Sequence, residues 1–118
     1  MKQLSDGFDP ARIEGRELET VLYASNLATL QFGDGVLVTL LAEVALTSAG
    51  EGIRCRDAPP WNSTRLPTLI GRRVVSASTD PSGRLILQFD DGSTLEFSQD
   101  ESGYESFVVS VDGEEWVT

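Results

Sequence analysis

Histidine is absent from the 118-residue chain, and cysteine occurs once, as Cys55. Without histidine there is no imidazole for acid–base catalysis, no Ser-His or Cys-His nucleophile pair and no His-containing metal site. A single cysteine excludes a disulfide within the chain and any thiolate metal cluster. Lysine is nearly missing too: Lys2 stands beside eight arginines, a bias that points to a GC-rich bacterial genome. Positive charge is scarce as a whole, with 9 Lys+Arg against 19 Asp+Glu and a net charge of −10. A chain so short of clustered cations is no general nucleic-acid binder.

Long apolar runs are also lacking. The longest, Val36 to Leu46, is broken by Thr39 and Glu43 and falls far short of the roughly 20 residues that span a bilayer. Met1 to Pro10 carries one lysine and two aspartates around Leu4 and Phe8, with no apolar run of a secretory leader. The glycosylation sequon Asn62-Ser63-Thr64 therefore reads as chance, and a cytoplasmic location without membrane contact is expected.

What is present supports a folded globule. Hydrophobic residues make up 40% of the chain, enough to offset ordering entropy, and 118 residues fit one domain because two separate cores would each be marginal. Gln31-Phe32-Gly33-Asp34-Gly35 returns as Gln88-Phe89-Asp90-Asp91-Gly92, with four of five residues identical at an offset of 57. Gly15-Arg16 returns as Gly71-Arg72 at an offset of 56, so one inserted residue aligns both matches. In this register Leu18 corresponds to Val74, Leu30 to Leu87 and Leu40 to Phe97. A spacing of this size indicates one supersecondary unit used twice, over about 13–48 and 69–111, joined by an irregular linker over 50–67.

Both units read as β-structure. Arg84 to Phe89 and Ser93 to Phe97 alternate polar and apolar residues around Asp90-Asp91-Gly92, a hairpin signal that suggests a primed turn. Leu85, Leu87 and Phe89 then share one face, with Leu95 and Phe97 packing on it. Asp80-Pro81-Ser82-Gly83 is a second turn signal, with Val74 to Ser78 as the strand before it. Phe107 to Val111, Asp112-Gly113 and Glu115 to Val117 form a last hairpin. In the first unit Leu18, Thr20 and Leu22 alternate with Glu19, Val21 and Tyr23. Val36 to Leu46 fits a strand and also a helical stripe through Leu37, Leu40, Leu41 and Val44; its counterpart Ser93 to Phe97 favours the strand. Prolines at 59, 60 and 67 keep the linker extended, with at most a short helical turn at Pro67 to Ile70, and Trp61, Leu66 and Leu69 are expected to pack on the sheets. The expected architecture is mainly β: a single domain over 1–118, with two β-meander repeats forming one antiparallel sandwich or open barrel about a pseudo-twofold axis.

Charge is unevenly placed. Residues 80–118 hold ten acids and one base, so −9 of the −10 lies in the last third. A solvated face is the usual explanation of scattered acids; the functional reading is a docking surface for a basic partner, since concentrated negative potential speeds and orients encounter. On the second reading Asp100, Glu101, Tyr104, Glu105, Glu114, Glu115 and Trp116 would meet the partner, because aromatics set among charges favour binding hot spots. Tyr104, Phe107 and Trp116 also sit where a strand would bury them.

Catalytic signals are thin. Asp90/Asp91 and Asp100/Glu101 are paired carboxylates, but no stretch has calcium-loop spacing, and the turn explains the first pair. Glu96 and Glu105 could act as a glycosidase pair only with a substrate cleft that a chain this short hardly offers. Cys55 lies between Arg54 and Arg56, a setting that lowers a thiol pKa, although single cytosolic cysteines are commonly inert. Gly33-Asp34-Gly35 has no following Lys-Ser/Thr, so it is no phosphate loop. The chain is expected to be no enzyme and to hold no cofactor or metal.

Leu69 to Val74, Leu85 to Ser93 and Tyr104 to Phe107 resemble the pattern of a family of small uncharacterised bacterial β-rich domains, with an L-x-G-x-x-V opening, a hydrophobic run ending in F-x-D-G-S and a later Y-E-aromatic strand. The resemblance covers about 69–111 well and 13–48 as a degenerate copy. It implies no catalytic residues, and it suggests a likeness to the immunity proteins of toxin competition systems. Two functions follow as expectations. One is a non-catalytic, immunity-like protein whose acidic C-terminal third engages a basic partner such as a nuclease toxin. The other is a small-ligand or metal-binding β-domain, homodimeric in one version, with its site between the repeats.

Overall fold

Apolar residues at every second position leave each strand one side to bury, and the chain answers with two sheets packed face to face. The computed structural model describes residues 2–3, 8–24, 27–33, 35–41, 43–48, 54–57, 66–79, 84–97 and 107–117. The strands are β1 (Lys2–Gln3), β2 (Leu18–Tyr23), β3 (Ala28–Phe32), β4 (Val36–Leu40), β5 (Val44–Thr47), β6 (Arg54–Asp57), β7 (Val74–Thr79), β8 (Leu85–Phe89), β9 (Thr94–Phe97), β10 (Phe107–Val111) and β11 (Glu114–Val117). One sheet runs β1-β11-β10-β4-β3-β2 and the other β6-β5-β9-β8-β7. Every pairing is antiparallel except that of β1 with β11. Both sheets are open, so the arrangement is a sandwich and not a barrel.

Each expected meander supplies three strands, β2-β3-β4 and β7-β8-β9, and then the chain changes sheets. β5 leaves the first meander to pair with β9, and β10 leaves the second to pair with β4. The exchange breaks the single strand expected over Val36 to Leu46 after Leu40, and a new strand begins at Val44 in the other sheet. It excludes the helical stripe as well. The physical reason is edge satisfaction: β4 and β9 would each present an unpaired backbone edge, and the exchanged strands supply the missing ladders. The linker expected to be irregular contains β6, which pairs with β5 for the same reason.

The core is one cluster drawn from both sheets. Leu85, Leu87, Phe89, Leu95 and Phe97 are all buried, as the alternation requires, and so are Leu66 of the linker and Leu69 at the start of the second unit. The rings of Phe97 and Phe107, one from each sheet, lie 5.6 Å apart. Helical content is limited to two 3₁₀ turns, Pro10–Arg12 and Leu66–Leu69. The second falls one residue before the expected position. The first was unforeseen and follows from local chemistry: the Asp9 carboxylate accepts from the Ala11 N–H at 3.0 Å, and Pro10 presets its own φ.

Two local expectations fail for reasons of backbone geometry. Leu18, Thr20 and Leu22 do not share a face. A β-bulge between Leu18 and Thr20 adds a residue, so Leu18 is buried while Leu22 is 54% exposed and Val21 takes the inward place. The same irregularity lies between Val74 and Ser76, burying Val74 and Ala77 and exposing Val75. The turn Asp90-Asp91-Gly92 is not primed, because only Gly92 has positive φ (89°). Gly92 N–H donates to Phe89 O and Phe89 N–H to Ser93 O, which makes a three-residue loop closed by a left-handed glycine. Residues 80–83, Trp61 and the sequon at 62–64 lie outside the described residues.

The sheets meet at one corner through an antiparallel bridge between Glu17 and Arg73. Around it the hydrogen bonds come in matched pairs. Gly15 N–H donates to Val74 O at 2.7 Å and Gly71 N–H to Leu18 O at 2.8 Å, while Leu18 N–H donates to Arg72 O and Val74 N–H to Arg16 O, both at 2.9 Å.

Candidate functional site

The acidic residues singled out from sequence fall into two groups. Asp100, Glu101, Tyr104 and Glu105 lie outside the described residues. Glu114, Glu115 and Trp116 lie on β11, and the hairpin that carries them has a clear local cause. Asp112 (φ 51°) and Gly113 (φ 87°) both occupy the left-handed region, as a two-residue primed turn demands, and Asp-Gly is suited to it. Cross-strand register then sets Glu115 opposite Ser110 and Trp116 opposite Val109.

Alternation turns Glu115 away from the indole, while Glu114 shares the indole's side of the strand and stays open to solvent beside the turn. Glu114 and Glu115 are exposed. Trp116 is 6% exposed, and its ring meets that of Phe8 edge to face with centroids 5.5 Å apart. Trp116 thus fastens β11 to the core and offers no surface to a partner, which corrects the hot-spot expectation for that residue. Phe107 is buried likewise.

Arg12, from the first 3₁₀ turn, reaches across to this hairpin. Its guanidinium lies 3.9 Å from the Asp112 carboxylate and 3.7 Å from that of Glu114, both pairs being open to solvent. Exposed pairs at such distances add little to stability, and Arg12 offsets one of the acidic charges beside it. Glu115 forms no ion pair among the described residues. Asp112, Glu114 and Glu115 therefore make an acidic rim at the hairpin turn, with Glu114 on the side that Arg12 approaches and Glu115 on the outer side beside Ser110.

The strand exchange divides the acidic last third of the chain between two places. Asp91 and Glu96 stay with the five-stranded sheet, where Arg72 lies 3.8 Å from Asp91 and Arg84 lies 3.2 Å from Glu96. The hairpin acids instead join the sheet built by the first meander. Charge that is contiguous in sequence is thus not contiguous on the surface. Among the described residues no three His, Cys, Asp or Glu side chains converge as metal ligands.

A second feature escaped a reading that attended to charge. On the outer side of the six-stranded sheet, Thr20, Gln31, Leu37 and Ser110 form one cross-strand row. Leu22, Thr29, Thr39 and Val108 form the next. None of the eight carries a charge, in a chain with 24% charged residues. The first row continues on β11 with Glu115, opposite Ser110, so the uncharged stretch ends there.

Residues 9–117 match a protein family of unknown function, DUF6188. The chain belongs to this family. The DUF6188 match begins at Asp9, the cap of the first 3₁₀ turn, and ends at Val117, the last residue of β11, so the family's unit is the whole exchanged sandwich without β1. No curated protein and no solved structure matches the chain. Among the described residues of this DUF6188 protein, no helix is long and apolar enough to cross a membrane.

Proposed function

We propose that this DUF6188 domain is a non-catalytic protein-binding protein, immunity-like in action, whose acidic β10–β11 hairpin engages a basic partner such as a nuclease toxin. The observation that carries the reading is the exposure of Asp112, Glu114 and Glu115 on a hairpin with a two-residue primed turn at the sheet rim. A preformed acidic edge steers a cationic partner and fixes its orientation with little ordering cost. The partner surface would be a nucleic-acid-binding cleft, whose arginines and lysines otherwise meet phosphates. A cytoplasmic setting in a bacterium suits this role. The matched hydrogen bonds around Glu17 and Arg73 support an origin by duplication of one β unit, with the second copy recharged.

The test is co-expression with the product of an adjacent gene encoding a basic nuclease. Rescue of growth is expected with the wild-type chain and is expected to be lost in the double variant Glu114→Lys, Glu115→Lys. Association should slow at least about tenfold between low and physiological salt, as electrostatic steering requires. Binding that ignores salt and survives the charge reversal would refute the reading.

A further inference from the structure

We propose that the outer edge of β11 is a strand-addition site, where an extended basic segment of a protein partner pairs in the place that β1 of this chain occupies. This rests on the proposed engagement of a basic partner and adds the way in which the acidic hairpin holds it.

The two sheet orders set β1 apart from the other strands. Exchanging β2–β6 with β7–β11, strand for strand, turns β11-β10-β4-β3-β2 into β6-β5-β9-β8-β7, the order of the other sheet. Among the described strands β1 alone has no counterpart, and it lies ahead of the family's unit over 9–117. β6, the counterpart of β11, is the last described strand of its sheet. β1 is also only two residues long, and its pairing is the one parallel ladder described. Parallel pairing is the weaker kind per residue, and two residues make little of it, so β1 is a replaceable occupant of the edge.

Register decides which backbone groups an added strand meets. The two-residue turn makes Val111–Glu114 and Val109–Trp116 the hydrogen-bonded pairs, because such pairs alternate along the ladder. The N–H and C=O groups of Glu115 and Val117 therefore point to the outer edge. Lys2 stands opposite Trp116, between those two residues, where the backbone of a parallel neighbour bonds to both. Charge agrees with register. Glu114 and Glu115 of β11 are exposed, and β1 carries the chain's only lysine. The residues after β1 are held to the same hairpin, by the Phe8 ring against Trp116 at 5.5 Å and by Arg12, 3.7 Å from Glu114. Phe8 is buried, so β1 can leave the edge while that anchor stays. The chain thus sets a lysine-bearing strand on an acidic edge, and an extended basic segment of a partner offers the same ladder and the same charge.

NMR titration of the full chain with a capped peptide of alternating lysine and valine tests this. One control is the same peptide N-methylated at successive central amides, which keeps its charge and removes a donor from either side of the strand. The other alternates glutamate and valine. Lys2→Pro removes the Lys2 N–H that faces the edge, so the lysine–valine peptide is expected to bind this variant at least about fivefold more tightly than wild type. Both controls should bind at least about fivefold more weakly than the lysine–valine peptide. Bound peptide should slow amide exchange at Glu115 and Val117 at least about tenfold. Should circular dichroism show Lys2→Pro unfolded, Lys2→Glu, which keeps the backbone and sets an acid beside acids, serves in its place. Equal affinity of wild type and the folded variant overturns the proposal. Equal binding of the lysine–valine peptide and either control does the same, as does protection at β2 or β6 in place of β11. Peptide pairing on β11 without rescue of growth against the nuclease removes the proposed partner and keeps the site, whereas rescue without pairing removes the site.

Discussion

The carboxylate of Glu14 accepts a hydrogen bond from the backbone N–H of Ala77 at 2.9 Å, across 63 residues of sequence. β7 is the last strand of its sheet, and the Ala77 amide points away from β8, so Glu14 closes a backbone group at an otherwise open edge. In the register that matches Gly15 to Gly71, the corresponding residue beside β2 is Ile70, which cannot accept a hydrogen bond. The Glu14 contact is thus not repeated in the first unit, and Glu14→Ala is expected to cost about 1 kcal/mol. Glu14→Gln, which keeps an acceptor oxygen, should recover about half of that. Urea denaturation of both variants at neutral pH measures the difference.

Gly15 and Gly71 hold φ at +82° and +90° with open space where a Cβ would go. Replacement by alanine therefore meets no clash and suffers only from the backbone conformation, about 1–2 kcal/mol at each site. Asparagine, which tolerates this region, should cost less than alanine at both positions. Equal losses in thermal unfolding of Gly15→Ala and Gly71→Ala would show that the two turns bear similar strain. A loss below about 0.3 kcal/mol at either would contradict it.

Phe97 and Phe107 join the sheets, with ring centroids 5.6 Å apart and both side chains fully buried. Phe107→Ala should destabilise by about 3–5 kcal/mol through lost transfer energy and a residual cavity. Phe107→Leu should recover more than half of that. Because β10 is the exchanged strand, the alanine variant is also expected to bind a hydrophobic dye in mild denaturant, reporting separation of the sheets.

Arg12 sits near Asp112 and Glu114 at distances of 3.9 and 3.7 Å in solvent. Arg12→Ala should change stability by no more than about 1 kcal/mol, and the change should vanish in high salt. The same variant leaves the acidic rim with less opposing charge, so binding of a basic partner is expected to quicken slightly. A slower association rate would show that Arg12 holds the hairpin in its binding geometry.

Much of the fold was legible because its signals are local. The turns at Asp112-Gly113 and Gly92 are legible because few residues adopt positive φ, and the inward sides of β8, β9 and β10 follow from alternation alone. The bulge after Leu18 was not legible, since an extra residue within a strand leaves no compositional trace while reversing which side Val21 and Leu22 face. Of the candidate site, the outward place of Glu115 followed from hairpin register, whereas Glu114 lies opposite the buried Val111 and its exposure beside the turn did not. The burial of Trp116 required its meeting with Phe8, more than a hundred residues earlier in the chain.

The sequence by itself determined that this is a β-rich chain without histidine chemistry or disulfides, with two similar meanders and a strongly acidic last third. Those properties follow from residue type, period-two patterning and turn chemistry, all of which act within a few residues. Only the tertiary structure decided that β5 and β10 trade sheets, and with that trade which acids stand on which sheet. Backbone edges are chemically alike from one strand to another, so the choice of partner is made by the closing of the whole core and not by any local run of residues.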